Sequence, residues 1–467
     1  GYADLHALNL DKRENSKISG RINANYMNIN RGDLLGDLDI LGLTLENDNG
    51  KHEIGDICIK SHSNNNVNRI NITSSFVNGS YVGTKPFTGL IKDVQGLSVQ
   101  RELPSLYKGK IAKWENDEYD LKLDVSDARD ILSFLKPGPY IAQGSTIRLN
   151  IAKDGNLTAS VKSPRIALNK NYLKDIDLSI DNRDSSLNAS MKSSSVTVSG
   201  LSIQNNNLML FAKNDGFGAG FTYDNGTELA NKGEMYLSGK LGRDRHGVLT
   251  ISAKTHPSYI WYNDDAWNVS ESAIDLIGKD VRIDNLTAIC ADQSIKVNGG
   301  YSSTVKDTLS VNLVKFDLGL LNKFLGDSFG ITGLATGHAI ISSPWKSNAG
   351  LMMNLTSDST EIAGQRMGTL RLAGSLDDGK MRVIAKNDID GKRTLDVRGD
   401  YFLKNKEVDA TVYFDSLNVG YIAPLLSSVF SEMGGSLSGR IRIYGPTKSL
   451  SLESEDTRFD DVLLKVG

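Results

Sequence analysis

The sequences SIKVNGGY, at residues 294–301, and TLSVNLVKFDL, at residues 308–318, decide the fold. In each, apolar and polar side chains alternate, so Ile295 and Val297 would point to one face of a strand and Lys296 to the other. Polar turns such as DDGK and DIDGK, with Gly available for positive φ, separate such segments. The same alternation recurs at residues 369–376, 394–401, 408–414 and 436–445. The pattern predicts an all-β chain whose strands form an antiparallel meander.

The composition excludes several classes of protein. Of the 467 residues, 39% are hydrophobic and 7% are aromatic, which is too apolar for a disordered chain. The 53 basic and 56 acidic side chains are interspersed, and without a basic stripe no nucleic-acid partner is expected. Two cysteines, Cys58 and Cys290, are too few and too distant for a disulfide framework or a metal knuckle. We expect no cofactor, no metal and no enzymatic activity.

Short amphipathic blocks interrupt the strand pattern. They read VSDARDILSFL at residues 125–135, FDLGLLNKFL at 316–325 and LNVGYIAPLL at 417–426. Each follows an alternating segment, which suggests a degenerate repeat. We expect the blocks to form short helices that pack on the sheet as a plug or wedge, because they are too short to be stable alone. The side chains predicted to make that contact are Leu318, Leu321, Phe324, Leu325, Tyr421, Leu425 and Leu426.

The organisation predicted from these repeats is one continuous segment covering residues 1–467. Its approximate repeat units are residues 119–160, 294–345 and 394–450. No secretory signal and no apolar run of about 18 residues occurs in the sequence. We therefore expect the chain to be a segment of a longer protein whose targeting signals lie outside it.

The sequence resembles the TamB family of translocation and assembly module proteins, which belongs to the AsmA-like group. The stretches that carry the resemblance are DQSIKVNGGYSSTVKDTLSVNLVKFDLGLLNKFLG and, at residues 430–455, FSEMGGSLSGRIRIYGPTKSLSLESE. The resemblance is strongest over residues 267–467, and its texture is most similar to the long versions found in the Bacteroidetes. It rests on a periodic, glycine-bounded pattern.

The resemblance implies a long, curved antiparallel sheet folded into an open hydrophobic trough, or β-taco, that spans the periplasm. The implied function is conduction of phospholipid from the inner to the outer membrane, which would support outer-membrane biogenesis. The implied partners are phospholipids, the inner membrane through a missing N-terminal helix, and a BamA/TamA-like barrel protein contacted by regions outside this fragment. The implied location is the periplasm, with an inner-membrane anchor outside the fragment.

Strand parity predicts which side chains would line such a trough. The faces consist mostly of Val, Ile, Leu, Ala and Met, so they offer a continuous apolar surface without large aromatic fillers. A one-residue register slip would invert the assignment for any one strand. The predicted lining residues are Ile295, Val297, Leu309, Val311, Leu313, Leu351, Met353, Leu355, Leu370, Leu372, Met381, Val383, Leu395, Val397, Val408, Val412, Phe414, Ile441 and Ile443.

Other motifs with chemically active residue types have simpler structural interpretations. His52, Asp56, Cys58 and His62 share strand parity, but they spread over about 33 Å of extended chain, too far for one metal ion. We expect Cys58 to be an apolar filler between its isoleucine neighbours. The glycines of NDGFGAGF, at residues 214–221, lack a following GK[ST], which favours a turn or bulge over a phosphate loop.

Acidic and aromatic clusters also have two interpretations each. The pairs Asp264–Asp265 and Asp377–Asp378 lie in turn-like contexts, although a glycosidase or lyase could use two carboxylates on a β-scaffold. The aromatic cluster YIWYNDDAW, at residues 259–267, could form a carbohydrate platform or a rim contact, while a strand start is the simpler interpretation.

Two functions besides lipid conduction stay open at this point. An assembly factor for outer-membrane or secreted proteins would offer an open sheet edge for strand pairing. A secreted β-solenoid adhesin or polysaccharide lyase would have a closed, filled core.

Overall fold

The structure is a computed structural model. It describes residues 1–7, 13, 15–28, 35–107, 114–135, 138–198, 200–302, 308–321, 330–342, 350–362, 365–419, 430–447 and 449–466. The chain divides into two compact units, residues Gly1–Ala266 (unit 1) and Trp267–Gly467 (unit 2).

Unit 1 is built from strands joined by short turns, with two helices inserted. The helices are α1 (Leu90–Gln95) and α2 (Arg129–Leu135). The strands are β1 (Tyr2–Asp4), β2 (Lys17–Asn28), β3 (Leu35–Asn47), β4 (Gly50–Asn64), β5 (Val67–Ser74), β6 (Val77–Gly83), β7 (Tyr119–Val125), β8 (Pro139–Ile141), β9 (Thr146–Ile151), β10 (Leu157–Leu168), β11 (Asn171–Asp181), β12 (Leu187–Val198), β13 (Leu201–Lys213), β14 (Gly216–Asp224), β15 (Lys232–Arg243) and β16 (Leu249–Tyr262).

Unit 2 continues the same pattern. Its strands, the first of which begins at the unit boundary, are β17 (Asp265–Val269), β18 (Ser272–Ile277), β19 (Asp280–Cys290), β20 (Gln293–Tyr301), β21 (Thr308–Asp317), β22 (Ile331–Thr332), β23 (Leu334–Ser342), β24 (Gly350–Ile362), β25 (Gln365–Asp377), β26 (Lys380–Ile389), β27 (Lys392–Phe402), β28 (Glu407–Asn418), β29 (Phe430–Pro446) and β30 (Ser451–Val466).

Within each unit the strands pair antiparallel, almost always with the next strand in the chain. In unit 1, for example, β10 pairs with β11 and β11 with β12; in unit 2, β25 pairs with β26 and β26 with β27. Tight turns make this order possible: Asn65 and Asn66 both have positive φ between β4 and β5, as do Asp378 and Gly379 between β25 and β26. The prediction of an all-β, antiparallel chain is confirmed.

β-Bulges interrupt the ladders at intervals, and several share one local geometry. At Asn285, Lys315 and Ser416, φ lies between 48° and 53°, and the register shifts. The displaced backbone N–H then donates to a side chain on the neighbouring strand, as Lys315 N does to Thr336 Oγ1 (3.0 Å) and Ser416 N to Ser438 Oγ (2.9 Å). A bulge bends its strand and increases the local twist, and these side-chain acceptors stabilise the bend.

The helices differ from the predicted blocks. The block at residues 125–135 does contain a helix, α2. At residues 316–325, strand β21 runs to Asp317 and a short 3₁₀ turn spans Leu318–Leu321. Phe324, Leu325, Tyr421, Leu425 and Leu426 lie outside the described residues, as does the side chain of Leu321. Sequence analysis missed α1 and the helical turns beside it, although Leu90, Val94 and Leu97 have helical spacing.

Candidate functional site

The register of unit 2 places apolar side chains in three parallel rows on one face, which we call the apolar face. Each row crosses nine strands, from β20 to β29, and every position in it is apolar or glycine. One row is Ile295, Leu313, Gly337, Leu355, Leu372, Ala385, Val397, Val412 and Ile441; the next is Val297, Val311, Ala339, Met353, Gly374, Val383, Gly399, Ala410 and Ile443; the third is Gly299, Leu309, Ile341, Leu351, Leu376, Met381, Tyr401, Val408 and Gly445.

The predicted lining residues all lie on this apolar face. Those outside the three rows, Leu370, Leu395 and Phe414, belong to a fourth row, in which Leu370 pairs with Asn387, Asn387 with Leu395, and Leu395 with Phe414. The prediction omitted further members such as Ala339, Ile341 and Leu376, although the same alternation could have found them. The geometry establishes a shared face, and the lining role stays a prediction.

The opposite face of unit 2 is polar and carries ion pairs between neighbouring strands. Arg382 contacts Asp400 at 3.1 Å, and Arg442 contacts Asp409 at 2.9 Å. Asp388 accepts hydrogen bonds from both Arg371 and Arg393. Each pair joins adjacent or nearby strands, so these ion pairs stabilise the sheet from its polar face. The three rows of the apolar face contain no charged side chain.

Side-chain exposure differs between the two faces. On the polar face, Met352 is 59% exposed and Val314 is 41% exposed. Their neighbours on the apolar face, Met353 and Val311, are only half-buried, as are Val297 and Ile443. Side chains of the same kind on the same strands are thus more sheltered on the apolar face. Much of the apolar face is thus half-buried, and Val412, in its first row, is buried with 8% exposure.

Unit 1 has an apolar face of the same kind. One row of register partners crosses its sheet from β2 to β15 and contains only apolar residues and one glycine. Its members are Ala24, Leu38, Ile59, Ile72, Gly79, Leu123, Ile147, Val161, Leu178, Met191, Leu208, Phe221 and Met235. The sequence predictions did not include these positions.

A helical segment, residues 87–106, covers part of the apolar face of unit 1. It comprises α1 and the short helical turns Phe87–Gly89, Gly96–Gln100 and Pro104–Leu106. Leu90 and Leu97 are buried in one cluster with six sheet residues. Those residues are Tyr81, Tyr119, Leu121, Leu149, Ile151 and Leu157. This segment, which we call the plug, therefore occupies the apolar surface of β6, β7, β9 and β10.

Polar contacts hold the plug in place. The buried Tyr119 hydroxyl donates to Asp93, and both burial and that carboxylate raise the pKa of Tyr119 far above its ordinary value. The buried side chain of Asn182 donates to the Leu97 carbonyl at 2.9 Å. At the far end, the Ser105 hydroxyl donates to Asp215 at 2.9 Å. Buried groups satisfied in this way fix the position of the plug, because displacing it would leave them without partners.

Helix α2 covers a second part of the same face. Phe134 is buried with Leu43, Leu45 and Ile54. His52 is also buried, with its ring edge-on to Phe134 at 6.3 Å between centroids and its Nδ1 3.5 Å from Asp130.

The expectation that His52, Asp56, Cys58 and His62 share a face is wrong. Gly55 has φ +83° and the register of β3 and β4 shifts there, which inverts the parity of β4. His52 therefore lies on the apolar side under α2, whereas Cys58 pairs with Asp39 and Thr73 on the polar side. Cys58 is not an apolar filler: a hydrogen bond with Asp39 raises the pKa of its thiol. Among the described residues, no group of three or more His, Cys, Asp or Glu could hold a metal ion.

The acidic pairs and the glycine-rich motif lie in turns and in a regular strand. Asp264 has positive φ and accepts a hydrogen bond from Ala230 N at 2.7 Å, and Asp378 also has positive φ, so each acidic pair includes a turn residue. The expectation of a turn or bulge at NDGFGAGF is wrong for its glycines, because Gly216–Asp224 is a regular strand, β14. Only Asn214 and Asp215 form the turn.

Comparisons with known proteins add no relatives. No family model matches the chain, and neither a curated protein nor a solved structure matches it. In the described part of the chain, no helix has the length and apolar character needed to cross a membrane.

Proposed function

We propose that the apolar faces of this protein bind phospholipid acyl chains, and that the protein carries phospholipid between the inner and outer membranes as a bridge of the TamB type. The observation that supports this most is the set of three rows in unit 2, in which no polar side chain interrupts nine strands. At about 4.8 Å per strand, such a row is roughly 40 Å long, longer than one extended acyl chain.

The energetics favour acyl chains as the occupant. Removing a methylene group from water is worth about 0.8 kcal/mol, so two chains of about 16 carbons require on the order of 20 kcal/mol of apolar contact when they leave a bilayer. A surface that replaces most of this contact makes the exchange nearly isoenergetic. The headgroup would stay in water, and no covalent chemistry would be needed.

Side-chain size also suits this occupant. The middle row of the apolar face includes the small residues Ala339, Gly374, Gly399 and Ala410, with Met353 packed against the Gly374 position and Ala410 against Gly399. No large aromatic side chain belongs to this row, in contrast to the apolar face beneath the plug of unit 1, where Tyr81 and Tyr119 are buried. A lipid on β6 to β10 would therefore require the plug to move, whereas unit 2 requires no such movement of any described helix.

Charge placed on either face of β21 tests the proposal. Val311→Arg puts a guanidinium on the apolar face, and Asn312→Arg, the matched control, puts one on the polar face of the same strand. The chain carrying each substitution would be purified, and its bound phospholipid measured by mass spectrometry. We expect Val311→Arg to reduce bound lipid at least fivefold and Asn312→Arg to leave it unchanged.

Equal lipid in all three proteins, or no lipid in the unsubstituted chain, would contradict the proposal. Recovery of unfolded polypeptide instead of lipid would favour an assembly factor that acts by strand pairing. Circular dichroism of each variant confirms that the strands are intact before the lipid is compared.

A further inference from the structure

A slot crosses the otherwise polar face of unit 1 at strand β14. In the sequence GFGAGF, Gly216, Gly218 and Gly220 alternate with Phe217, Ala219 and Phe221. Phe217 and Phe221 belong to the apolar face, since Phe221 pairs with Leu208 and Met235, so the three glycines all point to the polar face. Three successive positions there have no side chain of their own. The strand surface is open at Gly218, whereas the Tyr236 ring lies over Gly220, 3.3 Å from where a Cβ would stand, and the Lys213 carbonyl oxygen lies 3.1 Å from the same point at Gly216.

Aromatic and apolar side chains form the two walls of the slot. On β13, Met209 and Phe211 pair with Gly220 and Gly218 and are 48% and 47% exposed. On β15, Tyr236 pairs with Gly220 and is 37% exposed. Large exposed rings on a polar sheet face are not explained by a core. The floor is open at Gly218, where a built Cβ would have no neighbour closer than the Leu237 carbonyl oxygen at 3.9 Å.

Hydroxyl, amide and imidazole groups surround the slot. The hollow has a volume of about 500 Å³, which is within the range of small-ligand sites, and its lining also includes Ser179, Ser190, Asn188 and His256. Ser179 and Ser190 share one hydrogen bond of 2.7 Å, and His256 Nε2 lies 2.7 Å from Ser238 Oγ. Each hydroxyl keeps further donor or acceptor capacity for a ligand.

The aromatic surface continues on β16 beyond the slot. Tyr259 pairs with Glu234, which lies on the same face as Tyr236, and Lys232 pairs with Trp261. The rings of Tyr259 and Trp261 are 5.9 Å apart. These are the first residues of the aromatic cluster for which a carbohydrate platform was one interpretation.

From this arrangement we infer that the slot over Gly218 binds a pyranose ring of a glycan. A sugar ring offers an apolar C–H face to Phe211 and Tyr236 and hydroxyl groups to the serine, asparagine and histidine side chains. A phosphate ligand does not fit, because the lining contains no lysine or arginine. An acyl chain would leave the polar lining unsatisfied. A pairing peptide strand finds no free backbone, since β14 pairs on both sides. The site is independent of lipid binding on the opposite face.

Titration of the purified chain with the β-1,4-linked tetrasaccharides of glucose and of N-acetylglucosamine, followed by NMR, tests the inference. Gly218→Val should fold normally, because the space for its Cβ is free, and should raise the Kd at least tenfold by filling the slot. Phe211→Ala should raise it by a similar factor. Thr73→Val, on the polar face of β5, is the control and should leave the Kd unchanged.

Three results would overturn the inference. The first is that neither tetrasaccharide binds at millimolar concentration. Binding could also survive Gly218→Val, which would exclude the slot as the site. Finally, a flat aromatic dye such as thioflavin T, or a tyrosine-rich peptide, could bind in the slot while the sugars do not, which would exclude a glycan as the ligand.

Discussion

At two bulges of unit 2, a single side chain on the neighbouring strand accepts the hydrogen bond of the displaced backbone N–H. Thr336 Oγ1 accepts from Lys315 N, and Ser438 Oγ accepts from Ser416 N. This use explains part of the richness in Ser, Thr and Asn, residue types that would otherwise weaken a buried strand. At such a position the side chain replaces a ladder hydrogen bond that the bulge has removed.

Removing such an acceptor should lower stability. Thr336→Val keeps the shape of the side chain but leaves Lys315 N without its partner, so we expect a loss of about 1 kcal/mol in the free energy of unfolding, measured with urea. Thr411→Val, on the polar face of β28 away from a bulge, is the control and should change it by less than half as much. Equal losses in both variants would show that the bulge acceptor has no special role.

Acid should weaken unit 2 through its ion pairs. The guanidinium groups of Arg393 and Arg371 hold the pKa of Asp388 below its ordinary value, and that of Arg442 does the same for Asp409. A carboxylate whose pKa is lowered by folding adds stability above the unfolded pKa of about 3.9, and this is lost as the pH falls through the folded pKa.

We therefore expect the free energy of unfolding to decrease as the pH drops below about 4. Asp388→Asn should make that fall shallower, by up to about 1 kcal/mol, because the side chains of its partners Arg371 and Arg393 are 51% and 43% exposed and solvent screens the pairs. Urea unfolding at pH 3 and pH 7 measures the difference. Asp390→Asn, at a turn residue with positive φ, is the matched control. A steeper acid dependence in Asp388→Asn than in the unsubstituted chain would refute the assignment.

Sequence parity succeeds between bulges and fails across them. The predicted lining residues of unit 2 were placed on one face correctly, because each alternating segment that contains them, such as the one with Val311, lies entirely on one side of a bulge. His52 was placed on the wrong face because Gly55 inverts the parity of β4. A lone glycine in an alternating strand indicates a bulge only weakly, so the inversion could not be predicted from the residues.

The plug is the element that most distinguishes unit 1 from the part of unit 2 that the structure describes. Its apolar spacing is visible in the sequence, but its position on the apolar face depends on contacts with residues far along the chain, such as Asn182 and Asp215. Local pattern alone cannot predict such contacts, which explains why the plug was missed. Helix α2 was easier to predict, because its block lies between two clear strands.

Loosening the plug should expose the apolar face without unfolding the sheet. Leu97→Ala removes a side chain that is 6% exposed and should destabilise the plug by about 2–5 kcal/mol. Ile91→Ala, on the same helical segment but 71% exposed, is the control. Hydrogen exchange should then quicken in residues 87–106 more than in β7 and β9.

Uniform quickening across unit 1 in Leu97→Ala would contradict a separable plug. It would show instead that the segment is an inseparable part of the core. A fluorescent lipid that binds Leu97→Ala more strongly than the unsubstituted chain would further indicate that the plug and acyl chains compete for the same surface.

At the scale of the whole molecule, both units repeat one design. A meander of antiparallel strands segregates apolar from polar side chains over many consecutive strands, and the described helices cover only part of the apolar surface. Where no described residue covers it, an apolar sheet face of this extent favours another apolar partner. The fold class and the apolar face were predictable because they depend on a period of two. The slot at Gly218 was not, because it depends on which side chains of two other strands lie beside the glycines of β14.

Photo-crosslinking along β21 tests most directly whether the apolar face of unit 2 contacts lipid. A benzophenone side chain would be placed in turn at residues 309 to 314 and irradiated in the presence of phospholipid vesicles. We expect adducts with phospholipid at 309, 311 and 313 and none at 310, 312 and 314, even though Val314 is itself apolar and exposed. Adducts at every position, or at none, would contradict the account.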